Sequence, residues 1–134
     1  LDIPVAGGDG WDSAKLAEIA GKDALKGTFF CNLYSPNDTS DLNKNFVAEY
    51  KNLYKSEPDV FAALSHDATM AIVKAIEDAK SADPAQIAVA MAKIKDLQGV
   101  TGATTFDDKH NPIKSAVIIE HVDGKQTFKT KINP

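Results

Sequence analysis

Hydrophobic residues near the start of the chain come in short bursts separated by turn formers. Pro4-Val5-Ala6 runs into Gly7-Gly8-Asp9-Gly10, which predicts a short buried strand feeding a tight, glycine-permitted turn. Leu16, Ala17, Ile19 and Ala20 then keep helical spacing, from a cap at Asp12 or Ser13 to a stop at Gly21. The stretch Gly27 to Tyr34 is rich in strand formers and predicts a second strand, closed by Ser35-Pro36-Asn37-Asp38. Next, Leu42, Phe46, Tyr50, Leu53 and Tyr54 form one apolar stripe of a helix capped by Asp38 or Thr39. After the break at Ser56-Glu57-Pro58-Asp59, a longer helix carries Leu64, Ala68, Ala71, Ile72, Ala75, Ile76 and Ala79 on one face. Asp83-Pro84 starts a third, with Ile87, Met91 and Ile94.

Beyond Gly99 the periodicity changes. Val100 to Phe106 reads as extended chain, ended by the polar run Asp107 to Pro112. Two strands follow, Ser115 to His121 and Lys125 to Lys131, with Asp123-Gly124 between them as a two-residue hairpin signal. The order β-α-β-α-α-α-β-β-β indicates an α/β or α+β protein.

Composition narrows the function classes. The 134 residues suit one domain, and 43% hydrophobic with 25% charged residues is ordinary globular usage. No apolar run approaches the roughly 20 residues of a membrane span. The residues from Leu1 to Gly10 have no basic start and no long apolar stretch, so they do not read as a signal peptide, and Leu1 reads as a mature or cut end. All 15 basic residues are lysine, against 19 acidic ones. A net charge of −4 without a single arginine argues against a nucleic-acid partner and excludes arginine-built anion clamps. One cysteine, Cys31, permits no internal disulfide and disfavours a structural zinc site; its neighbours Phe29, Phe30 and Leu33 predict a buried, inert thiol.

Candidate chemistry is sparse. Gly8-Asp9-Gly10 sits at the carboxyl end of the first expected strand, where open α/β sheets hold ligands. Ser13 stands where a dinucleotide fingerprint needs its third glycine, and no phosphate-binding Gly-Lys-Ser/Thr is present. A carboxylate on such a turn can accept hydrogen bonds from an ammonium, and Trp11 beside it can wall off an apolar side chain. The plainer reading makes Asp9 a helix cap and Trp11 the lid of a core edge. His66, His110 and His121 have no metal-ligand spacing, and His110 and His121 read as solvated. Ser65-His66-Asp67 cannot form a catalytic triad, because adjacent side chains point apart, so it reads as a capped helix start. No metal, cofactor or catalytic constellation emerges.

Several stretches, taken in order, carry a resemblance: Pro4 to Ser13, Phe46 to Tyr50 with Glu57-Pro58-Asp59, Phe61 to Ala68, Gly99 to Gly102 with Phe106-Asp107, and Lys114 to Ile119. That order resembles the C-terminal part of the branched-chain amino-acid-binding proteins, the extracytoplasmic solute receptors of bacterial ABC importers, and covers nearly the whole chain. The resemblance implies an α/β fragment of the two-lobed type I periplasmic-binding fold, with layers of helices on a β-sheet and a C-terminal β-hairpin. By that pattern residues 1–33 and 114–134 belong to the C-terminal lobe and 35–112 to the other.

It also implies non-catalytic binding of a branched-chain or related amino acid by hinge closure, with ABC permease subunits as membrane partners and no cofactor. Asp9 would pair with the ligand's α-ammonium, and Trp11 would lie near the pocket wall. His66, standing where relatives often carry Tyr in a Tyr-Asp-Ala sequence, would be a pocket contact. The groups that hold the ligand carboxylate in such receptors are absent from this chain. A ligand-sensing ectodomain of a signalling receptor with the same fold is the alternative, and an amide hydrolase a more distant one. A fragment of this kind would expose sheet edges and apolar faces, which points to a homodimer or strand exchange.

Overall fold

A four-stranded mixed sheet organises the two ends of the chain. The computed structural model describes residues 3–134, and the expectation attached to Leu1 lies outside them. The strands are β1 (Ala6–Gly7), β2 (Phe29–Asn32), β5 (Ala116–Val122) and β6 (Lys125–Ile132), in the order β1-β2-β5-β6. β1 runs parallel to β2; β2 with β5 and β5 with β6 are antiparallel. Phe30 lies opposite Ile119, and the β5–β6 register shifts at Ile118/Ile119. Between β1 and β2 run a single 3-10 turn (Asp9–Trp11) and two short helices, α1 (Ala14–Ala20) and α2 (Lys22–Leu25). Asp123 (φ 51°) and Gly124 (φ 78°) both adopt left-handed backbone, the two-residue hairpin that matches the twist of β5 and β6.

The middle of the chain leaves this sheet as a helical part and returns at Ala116. It contains α3 (Asp41–Tyr54), α4 (Val60–Ala79), α5 (Pro84–Met91) and a small antiparallel pair, β3 (Thr104–Phe106) with β4 (Pro112–Lys114). Each helix start has a side-chain oxygen on a free amide: Ser40 on Asn43, Asp59 on Ala62, Asp83 on Gln86. Three apolar clusters hold the parts together. Phe30, Val117 and Ile119 pack with Trp11 and Phe128 in the sheet. Tyr34, Val60, Ala63 and Val100 sit where α4 meets the crossing segment, and Ala71, Ala75 and Ile94 join α4 to α5.

Much apolar surface stays in water. On α3 the predicted stripe is largely solvated, with Leu53 and Tyr54 exposed, while polar Asn43 is fully buried. Phe61 on α4 is 75% exposed, and Ile72 and Ile76 on the face expected to pack are also exposed. The total accessible surface is 8789 Å², whereas a folded 14.4 kDa monomer has about 6,800 Å².

Several expectations are corrected. Cys31 is exposed, not buried, because the pleat alternates and its phase sends Phe30 and Asn32 to the covered face. His121 is buried at 2% exposure, since it falls in phase with Val117 and Ile119 on that same face. Ser65-His66-Asp67 is not a helix start; α4 begins five residues earlier, at Val60, capped by Asp59. The second strand ends at Asn32, the chain is extended only from Thr104 in the Val100–Phe106 stretch, and α2 and β4 are additional elements.

Candidate functional site

Asp9 projects from the glycine turn just beyond the carboxyl end of β1, the position the sequence assigned to it. It does not cap the following helix: Ser13 does, its hydroxyl accepting from the Lys15 amide at 3.2 Å. Asp12 is also occupied, accepting from Asn32 Nδ2 at 2.8 Å. Asp9 is exposed, and its carboxylate has no hydrogen bond or ion pair among the described residues. A small, unengaged anion on a backbone held from both sides is suited to receiving an ammonium.

Trp11 is what holds that turn. Its indole lies flat against Gly7, where a Cβ would come within 2.2 Å of the ring. The same ring packs on the Phe30 cluster and sits 6.5 Å, centroid to centroid, from the imidazole of His121. Gln126 on β6 donates to the Trp11 carbonyl at 3.3 Å. Trp11 thus covers the edge of the sheet core, and through Gly7 it fixes where Asp9 stands.

His121 closes the underside. Its Nδ1 is 3.0 Å from the Thr28 hydroxyl, which itself donates to the Leu25 carbonyl at 2.9 Å. Burial pushes the His121 imidazole below its ordinary pKa.

His66 lies elsewhere, on the second turn of α4. Its ring is 5.0 Å from that of Phe46 and its Nδ1 is 3.3 Å from Asp67 Oδ1. It lines an open groove of about 610 Å³ between α3 and α4, with Phe46, Tyr50, Leu53, Tyr54 and Met70; neither Asp9 nor Trp11 is part of that lining. A different cleft, of about 280 Å³, separates the sheet from the start of α4 and is bordered by Asp12, Asn32, Tyr34, Glu57, Asp59 and Phe128.

The best-organised polar group was not singled out by the sequence. Asp67 accepts from the amides of Val100 and Thr101, both at 2.8 Å, and from the Thr101 hydroxyl at 2.5 Å. Lys114 Nζ donates to Thr101 Oγ1 at 2.6 Å and Thr104 Oγ1 at 3.0 Å. The result is an ion pair bridged by a hydroxyl, which fastens the 99–101 loop to α4 and to β4. Burial pushes the Lys114 ammonium down; Asp67 partly offsets this and Lys131 adds to it. A second tie joins Lys131 Nζ on β6 to Asp38 Oδ2 at 3.1 Å. Burial opposes ionisation of Asp38, but hydrogen bonds from Ser40 and Lys131 outweigh it and hold its carboxyl below the usual range. No local pattern announces these ties, because Asp67 lies 33 and 34 residues from Val100 and Thr101, and Asp38 lies 93 residues from Lys131. Among the described residues no group of three or more histidine, cysteine or carboxylate side chains is placed to hold a metal ion.

Comparison with known proteins bears on this arrangement. The profile of a family described as periplasmic binding protein matches residues 1–126. The chain is 31% identical over 126 residues to the Leu/Ile/Val-binding protein homolog 1 of Brucella abortus, covering 90% of this chain and 33% of that protein. It therefore spans about a third of the length of the curated relatives it matches. Its coordinates align with the leucine-binding protein LivK of Thermotoga maritima at a TM-score of 0.87 and 36% identity, over all of this chain and 38% of that one. Alignment with LivJ of Streptococcus pneumoniae, solved in complex with isoleucine, gives 0.84 and 30%, over 99% and 38%.

Proposed function

Because the chain belongs to the periplasmic binding protein family, we propose that it is the C-terminal part of an extracytoplasmic receptor that delivers a branched-chain or related amino acid to a bacterial ABC importer. The observation that carries this reading is the exposed, unengaged carboxylate of Asp9 on the turn after β1. Relatives that bear Leu/Ile/Val-binding names support the ligand class.

The chemistry follows from the geometry. Asp9 receives the ligand's α-ammonium through charge-assisted hydrogen bonds. Trp11 pins the turn through Gly7, so that Asp9 is already in place when the ligand arrives. The sheet and its flanking segments, residues 1–33 and 114–134, form one jaw, and residues 35–112 contribute to the other. His66, backed by Phe46, meets the ligand from that second jaw when the receptor closes. The cycle is bind, close, present to permease subunits and release, with no covalent step.

Calorimetry on the full-length receptor with leucine, isoleucine and valine tests this. Asp9→Ala is expected to lower affinity at least tenfold. Equal affinity in the variant and the parent would remove Asp9 from the site.

A further inference from the structure

The sheet part and the helical part are joined by two covalent crossings, at residues 33–40 and at Ser115 between β4 and β5, and the polar ties described above cluster near both. Asp38 moves with the helices. The buried Asn43 of α3 donates through Nδ2 to the carbonyls of Ser35, Pro36 and Asp38, at 3.3, 3.2 and 2.8 Å, and the Ser40 amide donates to Asp38 Oδ1 at 2.9 Å. Loop 35–38 is therefore an extension of α3. Lys131 moves with the sheet, as its backbone pairs with Val117 near the end of the β5–β6 ladder.

The Asp38–Lys131 contact thus spans the joint, and both partners are sheltered: their side chains are 11% and 29% exposed. Lys131 also touches the helical part at a second point. A Cβ on Gly102 (φ 99°) would come within 3.3 Å of its Nζ, and the loop carrying Gly102 is clamped to α4 by Asp67. One ammonium thereby meets an extension of α3 and an extension of α4 together. The nearby Ser115 hydroxyl donates to Asn133 Oδ1 at 3.0 Å, which closes the end of β6 onto the returning crossing.

We propose that the Asp38–Lys131 pair is a latch that sets the angle between the sheet part and the helical part. A sheltered ion pair has a narrow range of good geometries, so keeping it intact restricts rotation about the crossings. Breaking it leaves the covalent crossings to flex. Under the receptor reading, on which this consequence rests, the latch also tunes affinity, because a ligand that needs a particular angle binds in proportion to the population holding it.

The test uses the chain itself, without ligand. The one cysteine, exposed Cys31 on β2, carries one spin label, and Ala88→Cys on the exposed side of α5 carries the other. Pulsed dipolar spectroscopy then reads the distance distribution between sheet and helices. A single narrow distribution is expected in the labelled parent, with at least a doubling of width in Asp38→Asn and in Lys131→Met. The double variant should be no broader than either single one, and the exchanged pair Asp38→Lys with Lys131→Asp should narrow the distribution again. Asp38→Asn keeps an acceptor for Ser40, so it decides the matter if Lys131→Met fails to fold by circular dichroism. Unchanged width in folded Asp38→Asn, or broadening that simply adds in the double variant, overturns the latch. Failure of leucine, isoleucine and valine to bind the full-length receptor would strike the receptor reading, while the latch stands or falls on these widths alone.

Discussion

Asp67 occupies the space that a side chain at Gly99 would need: a Cβ there would lie 2.5 Å from Asp67 Oδ2. That closeness lets one carboxylate gather two amides and a hydroxyl from residues 100 and 101. The loop is built around an anion contributed by a helix 32 residues earlier. Removing the anion strands its donors and leaves Lys114 without its nearby opposite charge. Asp67→Ala is expected to cost about 3 kcal/mol, and Asp67→Asn, which keeps one acceptor, about half that. Urea denaturation followed by circular dichroism measures both. Gly99→Ala should destabilise by a comparable amount through direct collision.

Tyr34 illustrates the opposite case. Its ring fills the cluster with Val60, Ala63 and Val100, yet its hydroxyl is sealed from solvent and has no hydrogen-bond partner among the described residues. A buried hydroxyl without a partner is a cost, so Tyr34→Phe should stabilise the chain by about 1 kcal/mol. Burial, followed by the charges of Glu57, Asp38, Asp59 and Asp67, also pushes the phenol well above its ordinary 10.0. The folded state keeps a proton that the unfolded chain gives up. The contribution of this phenol is therefore undiminished below pH 10 and is lost as pH rises above it. Tyr34→Phe should remove that part of the alkaline loss.

His121 sets a second pH dependence, at the other end of the scale. Its folded-state pKa lies below 6.5, the ordinary value, because the buried ring resists charge. Below pH 6.5 the unfolded chain takes up a proton that the folded chain refuses, so stability falls as the solution is acidified. Replacing the ring in His121→Gln should lower stability at pH 8 but flatten the slope between pH 6.5 and 5. An equal slope in parent and variant would assign the acid sensitivity to other groups.

The single tryptophan reports on the turn that carries Asp9. Gly7→Ala drives a methyl into the indole face, and an overpacked contact of this kind typically costs about 1–3 kcal/mol. Trp11 should move outward, with a red-shifted emission that needs no added probe. Asp9→Ala makes the useful contrast: an exposed, unpartnered side chain contributes little to folding, so the melt should move by less than about 0.5 kcal/mol while amino-acid affinity drops.

Local sequence signals mark the two-residue turns, but the cap of α3 is Ser40 and not Asp38 or Thr39, and the first strand, expected to be buried, is exposed at Pro4, Val5 and Ala6. Asp123-Gly124 marked a hairpin because only turn-tolerant residues accept two successive positive φ angles, and both are present. Asp83-Pro84 marked the first turn of α5 for a similar reason. The misreadings came from phase and from distance. Cys31 and His121 lie on strands whose faces are equally plausible in sequence, and pairing with β5 and packing under Trp11 decided which side was covered. Asn43 is one polar residue on an amphipathic helix, and three carbonyls from the preceding loop turn it into a buried clamp. β4 is three residues long and owes its extended shape to β3, which no local pattern announces. The placement of Asp9 past β1 was legible from glycine chemistry, and membership of the periplasmic binding protein family was legible from motif order. The Asp67 and Lys131 ties were not, since each joins segments 33 or more residues apart.

The solvated faces of α3 and α4 have a calorimetric consequence. Leu53, Tyr54, Phe61 and Ile72 are already hydrated before the chain unfolds, so melting adds less new apolar hydration than usual. An ordinary domain of this length has a heat-capacity increment of about 1.6–2.0 kcal/mol/K. Here the increment should fall clearly below that, which flattens the dependence of stability on temperature and pushes cold unfolding further out of reach.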